Sequence, residues 1–166
     1  MFADEGIGVH LCKLMGKNYK FTHKTHSLEF MDGGTLALQL SYIIASFDEV
    51  IIIDCIDAND AKIGDVFFFP YDAMPKSINW SGSAHELEML QTLQYMELMG
   101  DLPKVKILAV IPKRIEAMSF KLSDEILNSS KTMQKTLLNY LEKQGFSWNK
   151  INDFSLQDLA LNSYKN

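Results

Sequence analysis

EVIIIDCI, residues 49–56, is an almost unbroken run of β-branched residues. Such a run is expected of a strand covered on both faces, as in a parallel sheet. A second run of the same kind, KVKILAVI at 104–111, is stopped by Pro112. Between them, GDVFFFP at 64–70 reads as another strand, and 57–61 as a turn rich in Asp and Asn. Residues 71–82 read as an irregular loop. A helix is then predicted over 83–99, with Ser83 and Glu86 in capping-box spacing.

On the other side of the first run, LALQLSYIIAS predicts a helix over roughly 35–46. The turn before it is Asp32-Gly33-Gly34-Thr35. Its glycines permit positive φ, and Thr35 can cap the helix. SLEFM at 27–31 predicts a short strand. Residues 4–17 predict a helix with Ile7, Leu11, Leu14 and Met15 on one face. A long amphipathic helix is predicted over 123–144, ending before Gly145. The polar last twenty residues suit either a short docked helix or a mobile tail. Strands that alternate with helices imply an α/β fold, three-layer, with a twisted and mostly parallel sheet flanked by helices. One domain is expected over 1–148, with 149–166 as a C-terminal extension.

The 166 residues can bury a sizeable core. A net charge of -5 excludes the basic face that nucleic-acid binding requires, and equally a polybasic membrane anchor. Neither long apolar spans nor a secretory leader is legible. The two cysteines, Cys12 and Cys55, form no CxxC pair, which points to a reducing, cytoplasmic setting.

In open parallel α/β sheets, sites form at the carboxyl ends of the strands. Four residues fall at such ends or at helix starts: Glu5, Asp32, Asp54 and His85. An acid inside an apolar strand, as Asp54 is, costs free energy to bury unless it is paired or bound to metal. Two carboxylates and an imidazole make a ligand set suited to nickel, zinc or manganese. Blander readings stand beside these. Asp54 can cap a loop, His85 can be a surface histidine, and Asp4 and Glu5 can favour a helix dipole. Gly6-Ile7-Gly8 lacks the strand and the third glycine of a dinucleotide loop. His23 and His26 read as surface histidines, Cys55 as a buried inert thiol, and Met89, Met96 and Met99 as core filling. No GxSxG elbow is present.

Five stretches together resemble the hydrogenase maturation proteases: DEGIGVHL at 4–11, DGGT at 32–35, IIIDCIDA at 51–58, SAHELEMLQTL at 83–93 and VKILAVIP at 105–112. Their order and spacing agree across about two-thirds of the chain. The resemblance implies an endopeptidase that removes the C-terminal tail of the nickel–iron hydrogenase large-subunit precursor after nickel insertion. It places the metal-contacting residues at Glu5, Asp54 and His85, with the nickel that of the substrate. Asp54 is expected to be the catalytic carboxylate and Asp32 the second, acting on a water molecule with metal assistance. Gly33, Gly34 and Thr35 are expected to contact the extended tail. The family begins with a strand and a glycine-rich turn ahead of the segment that holds Met1, so a missing first strand is expected. A non-cleaving, nickel-dependent checkpoint that binds the precursor is the alternative, followed by a non-proteolytic metal hydrolase on the same scaffold.

Overall fold

In the computed structural model, residues 3–34, 37–74, 78–79, 84–113 and 120–162 are described. A 3-10 turn, Ala3–Gly6, leads into α1, Ile7–Asn18. The apolar residues predicted for one face of α1, Ile7, Leu11, Leu14 and Met15, are all buried. The helix lies close against a strand because Gly8 has no side chain. A Cβ there would stand 2.1 Å from the carbonyl oxygen of Ile53. The chain continues through β1, Tyr19–Thr22, and α2, Ala37–Ile44. It then forms β2, Glu49–Cys55, β3, Asp57–Ala58, β4, Val66–Pro70, and β5, Ile78–Asn79. Next come α3, Ala84–Met99, β6, Lys104–Val110, and α4, Asp124–Lys143. The end is β7, Ser147–Lys150, and α5, Leu156–Leu161.

The central sheet has the order β2-β6-β4. β2 runs parallel to β6, in register from Glu49 opposite Lys104 to Cys55 opposite Val110. β4 runs antiparallel on the other side of β6, from Val66 opposite Val110 to Pro70 opposite Lys106. The sheet is therefore mixed. Side chains alternate between its faces, as the pleat requires. Ile51, Ile53, Leu108, Val110 and Phe68 join Ile7, Leu11, Ile126 and Met133 in one core, beneath α1, α4 and α5. Ile52, Ile107, Ala109 and Phe69 join Ile44, Leu93 and Met96 in the other, beneath α2 and α3. Both faces are covered, which gives the three-layer arrangement its physical basis. Full burial of one such Leu or Ile side chain contributes about 1.5–3 kcal/mol.

Two expectations from the sequence are corrected. Residues 27–31 form no strand. Their alternation is real, because Leu28 and Phe30 pack on the core while Ser27, Glu29 and Met31 are exposed. Among the described residues no strand pairs with them, so the segment is extended without a ladder. Met99 is not core filling: it is exposed at the end of α3, although Met96 is buried and Met89 packs beside it. The predicted Ser83 capping box lies outside the described residues. The C-terminal residues dock rather than trail. β7 pairs antiparallel with β1, and Asn18 holds Phe154 through two 2.9 Å hydrogen bonds, one donated and one accepted. Ser155 caps α5 by accepting the Asp158 N–H at 3.1 Å. Among the described residues no helix is long and apolar enough to cross a membrane.

Candidate active site

The carboxyl ends of the parallel pair β2 and β6 point the same way, and two of the four candidate residues, Glu5 and Asp54, lie at the end of β2. Asp54 is the last residue but one of β2. The strand's alternation puts its side chain on the face beneath α2 and α3, since the flanking Ile53 and Cys55 pack on the α1 side. Asp54 is half-buried, and its carboxylate accepts the N–H of Cys55 at 2.8 Å. The 3-10 turn bearing Glu5 lies against this same strand end. Its Asp4 carbonyl accepts the Cys55 S–H at 3.3 Å. Glu5, like Asp54, is half-buried and keeps part of its surface in water.

His85 is the second residue of α3, and its side chain lies outside the described residues. Among the described residues, no group of three His, Cys, Asp or Glu side chains is gathered as a metal site. The structure thus brings Glu5 and Asp54 to one strand end. Asp32 and Gly33 are exposed in the loop before α2, where the Asp32 carboxylate accepts the Gly34 N–H at 3.0 Å. Gly34 has φ of 62°, a left-handed turn conformation that glycine adopts without strain. This local bond is the ordinary Asx-turn use of an aspartate. Thr35 lies outside the described residues.

Other candidates resolve into structural roles. His23 accepts the N–H groups of Thr25 and His26 on its Nδ1, each at 3.0 Å, and stacks near Phe146. That nitrogen is committed to the turn. Cys55 is buried, and its thiol donates to the Asp4 carbonyl. Burial, helped by the charge of Asp32, pushes the Cys12 thiol up to about 11, so it is a poor nucleophile at neutral pH.

Two features were not read from the sequence. His10 is fully buried on α1, and neither ring nitrogen has a hydrogen-bond partner among the described residues. Burial first, then Lys13, lowers its pKa to about 4, against the opposing pull of Asp32. The second feature is Asp4, a fully buried acid. Its carboxylate accepts hydrogen bonds from the Lys113 N–H, the Ser123 N–H and the Ser123 hydroxyl. Adjacent acids in a first helical turn are alike in sequence. Only the fold distinguishes the buried Asp4 from the accessible Glu5.

A family model described as hydrogenase maturation protease matches residues 9–140. Protein HydD of Wolinella succinogenes is 47% identical over 158 residues, covering 95% of this chain and 99% of that protein. The hydrogenase 2 maturation protease of Escherichia coli is 26% identical over 117 residues, covering 70% of each. Among solved structures, the hydrogenase maturating endopeptidase HybD from E. coli superposes with a TM-score of 0.78 at 23% identity, covering 90% of each chain. The nickel–iron hydrogenase maturation protease HybD from Thermococcus kodakarensis gives a TM-score of 0.64 at 19% identity, covering 84% of this chain and 91% of that one. At these identities the structural likeness shows a shared fold.

Proposed function

The chain belongs to the hydrogenase maturation protease family, and from that membership we propose that it is an endopeptidase that removes the C-terminal tail of a nickel–iron hydrogenase large-subunit precursor. The nickel is part of the substrate, and Glu5, Asp54 and His85 contact it. Two carboxylates and an imidazole suit a divalent ion of this hardness, and they leave positions open for water or peptide. The observation that carries this reading is Asp54: an acid at the carboxyl end of an apolar strand, half-buried beside the turn that bears Glu5.

Asp54 acts as general base on a water molecule that attacks the scissile carbonyl, with Asp32 as the second carboxylate. Gly33, Gly34 and Thr35 contact the extended tail. The state of Cys55 supports a water route over a thiolate, because its thiol is buried and donated to a carbonyl. Two free cysteines suit a reducing compartment, and we assign the protein to the cytoplasm on that ground.

The test is incubation with nickel-loaded and nickel-free precursor, with loss of the tail read by mass. Cleavage of the loaded form alone is expected, and Asp54→Asn or His85→Ala should abolish it with the fold retained. Wild-type processing by both variants overturns the site assignment. Nickel-dependent complex formation without cleavage overturns the protease reading and favours a checkpoint.

A further inference from the structure

The Asp4 carboxylate is fully buried, yet its acceptor capacity is well used. Lys113 N–H lies at 3.1 Å, Ser123 N–H at 2.8 Å and the Ser123 hydroxyl at 2.9 Å. A carboxylate taken out of water is expensive unless such donors replace its hydration. These donors come from the loop just after β6 and from the N-cap of α4. The Asp4 carbonyl adds a third anchor, the thiol of Cys55 at the end of β2. One short turn is therefore fastened to three separate elements.

A plain tether for the chain's first described residues would need no more than this. Two observations take the role further. The anchored groups are the immediate neighbours of the two candidate acids: Asp4 precedes Glu5, and Cys55 follows Asp54. The Cys55 S–H to Asp4 carbonyl bond thus links the residue before one acid to the residue after the other. Ala3, which enters the turn, has φ of 44°, a left-handed conformation that costs a non-glycine residue about 1–2 kcal/mol. Such backbone strain persists only where the surroundings hold it in place. The turn is set in one geometry by its contacts, and not by its own preference.

We propose that Asp4 is a positioning residue, whose buried carboxylate fixes the turn so that Glu5 stands at a set place relative to Asp54. This inference rests on the reading of Glu5 and Asp54 as the acids that contact the substrate's nickel. Asp4 touches neither nickel nor peptide; it acts through Glu5. Outer-shell partners of metal-contacting residues typically carry about 10–100-fold of affinity or activity.

The test is a double-mutant cycle on nickel-loaded precursor, with kcat and KM measured for Asp4→Asn, Glu5→Gln and the pair, and with far-UV circular dichroism to monitor the fold. Asp4→Asn places an amide N–H group among donors that already point inward. It should lower kcat/KM about 10–100-fold, mainly through KM, and cost nothing further in the Glu5→Gln background. That non-additivity is the signature of action through Glu5, which a general loss of structure would not produce. Multiplying losses, or a folded Asp4→Asn with full activity, overturn the inference and leave the site reading standing. Wild-type cleavage by Glu5→Gln overturns the site reading, and the inference falls with it. Should Asp4→Asn not fold, Ser123→Gly removes one of the three donors while keeping a tolerable N-cap. A smaller loss is then expected, again absent in the Glu5→Gln background, and a loss that persists there overturns the inference.

Discussion

Lowering the pH from 7 to 5 should destabilise this protein through His10, and His10→Leu should remove that part of the response. The ring is fully buried on α1 with both nitrogens unpartnered among the described residues, and burial lowers its pKa to about 4. An unfolded histidine titrates near 6.5. The unfolded chain therefore binds the proton first as pH falls, and stability is lost through the window from about 6.5 down to 4. The linkage amounts to about 2 kcal/mol at pH 5 and about 3 kcal/mol at pH 4. Against a typical domain stability of about 5–15 kcal/mol, this is a large share. Urea unfolding followed by tryptophan fluorescence measures it. With a urea slope of about 2 kcal/mol/M, the midpoint of the wild-type protein should fall about 1 M further between pH 7 and pH 5 than that of His10→Leu. Titration of the carboxylates is common to both proteins and cancels in the comparison. At pH 7 the leucine should be neutral or mildly stabilising, since it replaces polar atoms that have no hydrogen-bond partner among the described residues. Equal midpoint shifts in the two proteins would refute the reasoning, for they would mean that the folded protein accommodates the imidazolium.

Two further outcomes follow from packing. Gly8→Ala should destabilise by about 1–3 kcal/mol despite alanine's better helix propensity, because its Cβ would stand 2.1 Å from the Ile53 carbonyl oxygen; a raised thermal midpoint would show that α1 can shift away from β2 freely. Leu108→Ala, at a fully buried position in the middle strand, should cost about 2–5 kcal/mol, while Leu98→Ala on the exposed face of α3 should stay within about 0.5 kcal/mol in chemical denaturation.

What was legible in the sequence was what local pattern determines. β2 and β6 follow from runs of apolar residues long enough to cross a sheet and short enough to be strands. α1 and α4 follow from apolar residues three and four apart, and Ser123 is the N-cap where the helix was expected to begin. The segment 27–31 shows where such reading stops. Its alternation is real, with Leu28 and Phe30 partly buried against the core. A strand, however, is a relation between two segments, and no local pattern states whether a partner stands alongside. The antiparallel run of β4 is hidden for the same reason: GDVFFFP gives a strand and not its direction. Pairing of β1 with β7 joins residues well over a hundred positions apart, and neither four-residue run is apolar enough to stand out. His10 gave no signal because a histidine on a helix looks the same whether the helix covers it or exposes it.

The candidate site was found by an argument whose premise the structure redistributes. Asp54 drew attention because a charge within an apolar strand should be costly to bury. In the fold that cost falls mainly on Asp4, which is fully buried and is offset by three donors. Asp54 and Glu5 keep part of their surface in water. The difference is what a recognition site requires. A carboxylate whose lone pairs are taken up by backbone and hydroxyl donors can hold a turn in place, but it has little left to offer an incoming ion. A carboxylate that is half-exposed gives up less of its hydration on folding. Burial therefore separates two states that the pair DE at positions 4 and 5 leaves indistinguishable: Asp4 is hidden and held by donors from two other segments, as the proposed positioning role requires, while Glu5 keeps part of its surface in water, as the proposed contact with the substrate requires.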